Sequence, residues 1–142
     1  MKLFIINGPN LNLLGIRKPE VYGNTDYSLL CEMIRKYAEE KGIKVKIYQS
    51  NHEGKIVDKI HSCLGKADGI ILNAAAYTHT SLAIGEAIEA TGIPTVEVHI
   101  SDPDEREDFR KVNFIRPYCM ATVKGMGTEG YLKAIDFFLE KH

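Results

Sequence analysis

The stretch Leu3-Phe4-Ile5-Ile6 is a continuous apolar run, and it ends at the turn-forming residues Asn7-Gly8-Pro9. A short apolar run closed by such residues is typical of a buried β-strand. The first predicted element of the chain is therefore a buried strand. Whether its sheet is parallel or antiparallel depends on the kind of element that follows each strand.

Helical and strand patterns alternate along the rest of the chain. In residues 27–40 apolar side chains recur every three or four positions, whereas residues 43–48 alternate strictly and predict a strand near a sheet edge. Strands are predicted at 3–6, 43–48, 70–72, 95–100 and 120–123, and helices at 27–40, 53–66, 81–90 and 130–139. Such alternation forms β-α-β units. It predicts an α/β fold, a flavodoxin-like, doubly wound five-stranded parallel sheet in one domain over residues 1–142.

Composition and charge are those of an ordinary globular protein. The hydrophobic share of the 142 residues is 44%, the charged share is 26%, and the formal net charge is -1. These shares exclude a disordered chain, and a net charge near zero gives no electrostatic reason to expect a nucleic-acid or membrane-surface partner. The apolar runs are too short to span a bilayer, and residues 1–9 lack a signal peptide's apolar stretch, so we expect a cytoplasmic protein.

The three cysteines, Cys31, Cys63 and Cys119, are odd in number, widely separated and without a C-x-x-C pair. This pattern favours reduced thiols over a disulfide framework. Each cysteine lies inside an apolar pattern, which predicts a buried packing role; a redox or nucleophilic cysteine is the alternative.

Polar side chains gather where the predicted strands end. In a doubly wound sheet ligands bind outside the carboxyl ends of the strands. Four separate segments supply polar residues there: Asn7, Asn10, Asn12, Arg17 and Tyr22 after the first strand, Asn51, His52 and Glu53 after the second, Asn73, Tyr77, His79 and Ser81 after the third, and Glu97, His99, Ser101, Asp102, Arg106 and Arg110 on or after the fourth. The sequence predicts a ligand site at this edge of the sheet.

Two pairs in this group suggest acid–base chemistry. Glu97 and His99 lie two apart on a strand, so both side chains point to one face, where the carboxylate can orient the imidazole. A core histidine with a satisfied hydrogen bond is an equal alternative. Arg17 lies five residues before Tyr22, and a guanidinium favours an ionised phenol. Taken alone, Tyr22 is a packing aromatic and Arg17 a solvent-exposed charge.

Three further residues have ordinary structural explanations. His79 lies among capping residues and can start a helix instead of contacting a ligand. Arg106 and Arg110 are one helical turn apart among carboxylates, which by itself indicates a solvent-exposed charged face.

Several other chemistries find no support in the sequence. Gly125, Gly127 and Gly130 match the G-x-G-x-x-G spacing, but they follow the last predicted strand and indicate a strand-to-helix turn, with a dinucleotide site as the weaker alternative. No G-x-x-x-x-G-K-[ST] phosphate loop, H-E-x-x-H motif or zinc spacing occurs, so we expect no metal.

Six motifs, in this order along nearly the whole chain, closely resemble the type II 3-dehydroquinate dehydratase family. The motifs are Ile6-Asn7-Gly8-Pro9-Asn10-Leu11-Asn12-Leu13-Leu14-Gly15, Arg17 with Tyr22-Gly23, Ser50-Asn51-His52-Glu53-Gly54, Asn73 with Ala76-Tyr77-Thr78-His79-Thr80-Ser81, Glu97-Val98-His99-Ile100-Ser101, and Arg106 with Phe109-Arg110. The resemblance implies a cytoplasmic, cofactor-free lyase of the shikimate pathway of aromatic amino acid biosynthesis. It also implies a flavodoxin-like fold, a homododecamer built as a tetramer of trimers, and a mobile lid over residues 8–25.

The resemblance implies an anti elimination that converts 3-dehydroquinate to 3-dehydroshikimate through an enolate. Tyr22 would remove the C2 proton, and Arg17 would keep its phenol ionisable. A water held near Asn10 would stabilise the enolate. His99, oriented by Glu97, would protonate the departing C1 hydroxyl. These roles fit the residue types, because a proton beside a ketone is weakly acidic and its removal requires a strong base and a stabilised enolate.

The resemblance also implies seven substrate-binding residues, namely Asn73, His79, Glu86, Ile100, Ser101, Arg106 and Arg110. Asn73 and the backbone amides of Ile100 and Ser101 would bind the carboxylate and adjacent hydroxyl. His79 and Arg110 would hold the ring hydroxyls, and Arg106 would close a second lid. Glu86 would reach the neighbouring subunit and position its His79.

The sequence departs from the family pattern at three places. Ala74-Ala75 stands where Pro-Gly is common, Asp102 where asparagine is common, and Glu86 where aspartate is usual. Two other functions stay open at this stage: a binding or regulatory domain that holds an anionic ligand without turnover, and a lyase or isomerase for a different hydroxylated cyclic acid. Loss of Tyr22, Arg17 or His99 would favour the binding domain, and all three are present.

Overall fold

Five strands and four α-helices alternate along the chain in a computed structural model that describes residues 1–16 and 25–141. The strands are β1 (Lys2–Asn7), β2 (Lys44–Gln49), β3 (Gly69–Asn73), β4 (Thr95–His99) and β5 (Ala121–Lys124). The α-helices are α1 (Tyr27–Glu40), α2 (Glu53–Ser62), α3 (Leu82–Thr91) and α4 (Gly130–Glu140). Short 3₁₀ helices lie at Leu11–Leu13, Ala75–His79, Pro103–Glu105, Asp108–Lys111, Arg116–Tyr118 and Gly127–Glu129.

The five strands form one parallel sheet in the order β2-β1-β3-β4-β5. This is the doubly wound, flavodoxin-like order, whose switch point lies between β1 and β3. The predicted fold class is therefore confirmed, and so is the edge position of the strand that alternates strictly. The register pairs Asn7 with Asn73, so the last residues of β1 and β3 lie side by side at the switch point.

Each face of the sheet has its own core. On one face α1 and α4 cover the strands, and the buried side chains include Leu3, Ile5, Leu30, Ile34, Ile71, Val98, Tyr131 and Ile135. On the other face α2 and α3 cover them, and the buried side chains include Phe4, Ile6, Ile56, Ile60, Ile70, Leu72, Ile84 and Ile88. Because side chains alternate along a strand, polar groups at the strand ends are also divided between the two faces.

The helix boundaries depend on caps and on one glycine. The side chain of Asp26 accepts a hydrogen bond from Leu29 N and caps α1 as predicted. The prediction of a helix through residue 66 is wrong, because the chain leaves the α-helix after Ser62 and Gly65 adopts a φ of +72° in the turn that follows. His79 does not start a helix either: it ends a 3₁₀ helix, and Ser81 caps α3.

The loops after β1 and β3 pack tightly at the switch point. Gly8 N donates a hydrogen bond to Asn73 O, and a Cβ at Gly8 would lie 2.5 Å from Ala74 O. Only glycine allows this approach. Ala75, which follows Ala74 in the loop after β3, has a φ of +52°. This left-handed conformation costs a residue with a Cβ about 1–2 kcal/mol.

All three cysteines are free, and Cys31 and Cys63 are buried, as their apolar surroundings predict. In the ranges 1–16 and 25–141, no helix has the length and apolar character needed to cross a membrane. The same ranges contain no group of three or more His, Cys, Asp or Glu side chains arranged to hold a metal ion.

Candidate active site

A pocket with a volume of about 80 Å³ lies at the carboxyl ends of β3 and β4 and is partly open to solvent. The residues that line it are Pro9, Leu11, Asn73, Ala75, Ala76, His79, His99, Ile100, Ser101, Pro103, Arg106 and Arg110. Seven of the residues singled out in the sequence thus meet in one cavity. Its mixed lining of polar and apolar groups suits a small polar ligand.

The acid–base pair predicted on β4 forms a direct hydrogen bond. His99 Nε2 lies 2.6 Å from Glu97 Oε2, and only 7% of His99 and 1% of Glu97 is exposed. Since an ionised carboxylate only accepts, Nε2 carries the hydrogen of this bond. His99 lines the pocket and Glu97 lies behind it, so Nδ1 is the ring nitrogen that can exchange a proton with a bound molecule.

Glu97 is surrounded by four donors, although it is almost fully buried. Besides His99, Asn113 Nδ2 donates to Oε2 at 2.7 Å, while Arg116 Nε and Thr122 Oγ1 donate to Oε1 at 3.1 and 2.8 Å. Burial alone would raise the pKa of Glu97, but hydrogen bonds from His99, Asn113 and Thr122, together with the charge of His99, outweigh it and lower the pKa to about 2. We refer to Glu97, His99, Asn113, Arg116 and Thr122 as the charged cluster.

His79 presents one ring nitrogen to the pocket. Its Nδ1 lies 2.7 Å from Val112 O, and because a carbonyl only accepts, Nδ1 carries the hydrogen and Nε2 is left for a ligand. Burial lowers the pKa of His79, and the bond to Val112 only partly opposes this effect. The neutral ring can therefore accept a hydrogen bond from a hydroxyl.

Arg106 and Arg110 belong to the pocket wall and not to a solvent-exposed helix face. The side chains are 16% and 17% exposed, and they lie on a bent segment in which two 3₁₀ helices replace the single helix that their spacing suggests. Glu107 Oε2 accepts a hydrogen bond from Arg110 Nε at 2.7 Å and lies 3.8 Å from Arg106 Nε. One carboxylate thus holds two guanidinium groups at the pocket.

The amide side of the pocket is built from β3 and the turn after β4. Asn73 is buried at the end of β3, and its Oδ1 accepts a hydrogen bond from Ala75 N at 3.1 Å. The carbonyl oxygens of Ile100 and Ser101 accept hydrogen bonds from the amides of Gly127 and Gly125. The peptide units beside the pocket are thereby fixed in orientation.

The negative charge of Asp102 is compensated outside the pocket. Asp102 Oδ1 caps the 3₁₀ helix Pro103–Glu105 and lies 3.5 Å from Lys124 Nζ. Lys124 also contacts Asp104, which lies 3.7 Å from Arg116 Nη1. The departure from the family pattern at Asp102 therefore adds no unpaired charge beside Ser101.

Among the described residues, three predicted site residues do not line the pocket: Asn10, Glu86, and Glu97, which lies behind His99. Arg17 and Tyr22 belong to residues 17–24 of the predicted lid, and these residues lie outside the described part of the chain. Asn10 is exposed beside the pocket, with a φ of +70°, and its amide donates to Asn51 Oδ1. Glu86 is exposed on α3.

Sequence analysis missed the three donors that hold Glu97 with His99. Thr122 carried a usable signal, because it is a polar residue inside an apolar strand and pairs directly with Glu97 across β4 and β5. Asn113 lies in the connection before β5 and Arg116 begins the three-residue 3₁₀ helix there, and neither stretch is long enough for sequence periodicity to give an orientation. A buried carboxylate needs such partners, but the sequence does not identify them.

Comparisons with known proteins agree with this architecture. The family model "Dehydroquinase class II" matches residues 1–139. A 3-dehydroquinate dehydratase from Sulfurimonas denitrificans is 50% identical over 131 residues, covering 92% of this chain and 82% of that protein. A second, from Fusobacterium nucleatum, is 51% identical and covers 99% and 97%. The crystal structure of type II dehydroquinase from Butyrivibrio crossotus superposes with a TM-score of 0.96 at 48% identity, covering 98% of this chain and 97% of that one.

The match extends over the strands, the helices and the segments that line the pocket. The resemblance inferred from the six motifs is thereby confirmed, and so are the predicted enzyme class and fold. The chain belongs to the class II dehydroquinase family, the lyases that dehydrate 3-dehydroquinate in the shikimate pathway.

Proposed function

We propose that this chain carries out the family's reaction at the pocket beside β4, with His99 as the general acid. The observation that carries the proposal is the 2.6 Å bond between His99 Nε2 and Glu97 Oε2. Glu97 fixes the ring and stabilises the imidazolium, and Nδ1 carries the proton to the departing C1 hydroxyl. Loss of this hydroxyl as water forms the C1–C2 double bond of 3-dehydroshikimate.

The base in this proposal is Tyr22, with Arg17 favouring its ionised form, as the family resemblance implies. It removes the C2 proton and leaves an enolate, which a water near Asn10 stabilises. Two observations support a base from this part of the chain. Pro9 and Leu11, which precede the segment, line the pocket. Thr25, which follows it, shares a cleft with Ile100 and Ser101.

The substrate is held both by protein groups that donate hydrogen bonds and by one that accepts. Its carboxylate accepts from Asn73 Nδ2 and from the amides of Ile100 and Ser101, as expected for an anion at the carboxyl edge of a parallel sheet. The ring hydroxyls contact His79 and Arg110. Arg106, on the bent segment beside Pro103, closes over the bound ring.

The proposed assembly is a dodecamer, a tetramer of trimers, in which Glu86 serves a neighbouring subunit. Glu86 is exposed on α3, and Leu82 on the same helix is 48% exposed. Mixed oligomers of inactive His99→Asn and Glu86→Ala chains should regain activity well above either parent. Mixed oligomers as inactive as their parents would contradict the shared site. We further propose a cytoplasmic location, consistent with three free thiols.

The test of the proposed function is the ultraviolet absorbance of the conjugated enone formed from 3-dehydroquinate. Wild-type protein should produce it, and His99→Asn should not. Chelator should leave the rate unchanged, and borohydride added with substrate should not inactivate, since neither a metal nor a lysine imine takes part. Binding without turnover would favour the regulatory domain instead, and turnover of a related hydroxylated acid alone would favour a different lyase.

A further inference from the structure

A second set of polar groups, three buried and one half-buried, lies beneath the pocket, on the face of the sheet opposite the charged cluster. Asn73 Nδ2 lies 3.0 Å from the hydroxyl of Tyr131, on α4, and that hydroxyl lies 2.6 Å from Asn7 Oδ1. Asn7 Nδ2 makes a longer contact of 3.4 Å with the hydroxyl of Tyr27, at the start of α1. We refer to Asn7, Tyr27, Asn73 and Tyr131 as the neutral network.

The hydrogen-bond directions in this network follow from one backbone amide. Ala75 N is a donor only, so its contact with Asn73 must be to Oδ1, which sets the orientation of the carboxamide. Nδ2 of Asn73 then donates to the Tyr131 hydroxyl, which has one hydrogen of its own. That hydrogen is donated to Asn7 Oδ1, where the distance is shortest.

The orientation leaves the second hydrogen of Asn73 Nδ2 for a molecule in the pocket, which Asn73 lines. A flipped carboxamide would present an oxygen there, and an oxygen repels a carboxylate. The observed orientation of the Asn73 carboxamide should therefore bind an anion more tightly than the flipped orientation.

We propose that Tyr131, with Asn7 as the acceptor of its proton, is a positioning residue that holds the Asn73 carboxamide as a donor toward the substrate carboxylate. This inference rests on the proposed function, because it takes the ligand of Asn73 to be that carboxylate. Tyr131 touches no substrate. It acts through Asn73, and the rotation of the carboxamide is its only route to the reaction.

Burial suits Tyr131 to this role. The residue is fully buried, and burial raises the pKa of its hydroxyl, which keeps its proton. Asn7 is also fully buried, and Asn73 nearly so. Because buried polar groups without partners are costly, each member restrains the next.

The main test is the variant Tyr131→Phe, which removes only the hydroxyl. KM for 3-dehydroquinate should rise about 10-fold, the effect of weakening one hydrogen bond to a charged group, while kcat stays within about 3-fold. The matched control is Tyr37→Phe. It removes a hydroxyl that joins α1 to α4 through Asp136, and neither of these two residues lines the pocket. Its KM should equal that of the wild type.

A double-mutant cycle separates positioning from general loss of structure. If Tyr131 acts through Asn73, Tyr131→Phe should have little further effect on KM in an Asn73→Ala background. Asn7→Ala, which frees the Tyr131 hydroxyl to turn toward Asn73, should raise KM in the same way and gives a second variant if Tyr131→Phe folds poorly.

Three results would overturn the inference while leaving the proposed function intact. They are an unchanged KM in both Tyr131→Phe and Asn7→Ala, a loss confined to kcat, and an undiminished effect of Tyr131→Phe in the Asn73→Ala background. Absence of turnover by the wild-type protein would remove the proposed function and this inference with it.

Discussion

The charged cluster and the neutral network lie under the same pocket on opposite faces of one sheet. Glu97 and His99 are on the face that α2 and α3 cover, whereas Asn73 and Tyr131 are on the face of α1 and α4. Glu97 and His99 are buried in one set, Asn7, Asn73 and Tyr131 are buried in the other, and hydrogen bonds join the members of each set. They differ in charge, since one contains an ionised carboxylate and the other contains only amides and phenols.

The difference separates two tasks. Transfer of a proton needs a group that changes charge, and a buried carboxylate beside the imidazole stabilises the charged form. Holding a carboxylate in a fixed place needs donors whose orientation does not depend on pH. Four donors around Glu97 offset the desolvation of its charge, whereas in the neutral network each bond sets the direction of the next.

The largest effect is expected in the charged cluster. Glu97→Gln preserves shape but removes the charge that supports the imidazolium, so kcat for dehydration should fall about 10²–10⁴-fold with KM little changed. Glu89→Gln, at an exposed position on α3, is the matched control and should leave kcat intact. A kcat of wild-type magnitude in Glu97→Gln would show that this carboxylate has only a structural role.

A smaller effect should appear in the acid stability of the protein. The pKa of Glu97 in the folded state is about 2, below the ordinary value of 4.5, so ionised Glu97 stabilises the fold above pH 4.5. That contribution is lost as the pH falls through 4.5 toward 2, and a shift of this size corresponds to about 3 kcal/mol.

Denaturant unfolding of the wild type and of Glu97→Gln at several pH values measures this contribution. The stability advantage of the wild type should shrink between pH 5 and pH 2 by up to about 3 kcal/mol. Tyr131→Phe, in the neutral network, should differ from the wild type in free energy of unfolding by the same amount at every pH value. A pH-independent gap for Glu97→Gln would mean that the pKa of Glu97 is the same in the folded and unfolded states.

The smallest effect concerns the loop that orients the neutral network. Ala75 has a φ of +52°, and Ala75→Gly should raise the free energy of unfolding by about 0.5–1 kcal/mol, because glycine adopts this conformation without strain. Ala76→Gly, next to it, is the control and should not stabilise. Loss of stability in Ala75→Gly would show that the methyl group contributes more by packing than it costs in strain.

The arrangement of the sheet could be predicted from the sequence because periodicity and turn residues mark each element. The helix at 27–40 ends where the pattern ends, whereas the one begun at residue 53 stops early, since the left-handed turn at Gly65 is a tertiary outcome and not a matter of spacing. The two-residue spacing of Glu97 and His99 predicted that both side chains lie on one face of the sheet, where they can form a hydrogen bond.

The partners of these groups could not be predicted, because they come from distant parts of the chain. Tyr131 looks like any aromatic residue on an amphipathic helix, and only the packing of α4 brings its hydroxyl to Asn73. Arg116 begins a 3₁₀ helix of three residues, which is too short for residue spacing to predict where the side chain points. The burial of Arg106 and Arg110 likewise depends on a bend in the chain. The sequence does not predict this bend, because the charged neighbours of the two arginines indicate a solvent-exposed helix face.

The central claim, that the charged cluster supplies a proton to the leaving hydroxyl while the neutral network only binds, is tested most directly by changing the leaving group. We would measure kcat and KM for His99→Ala and Tyr131→Phe with 3-dehydroquinate and with its analogue carrying fluoride in place of the C1 hydroxyl. Fluoride leaves without a full proton transfer, so the kcat loss in His99→Ala should largely disappear with the analogue, while the KM increase in Tyr131→Phe should be the same with both substrates. An equal kcat loss in His99→Ala with both leaving groups would contradict the account.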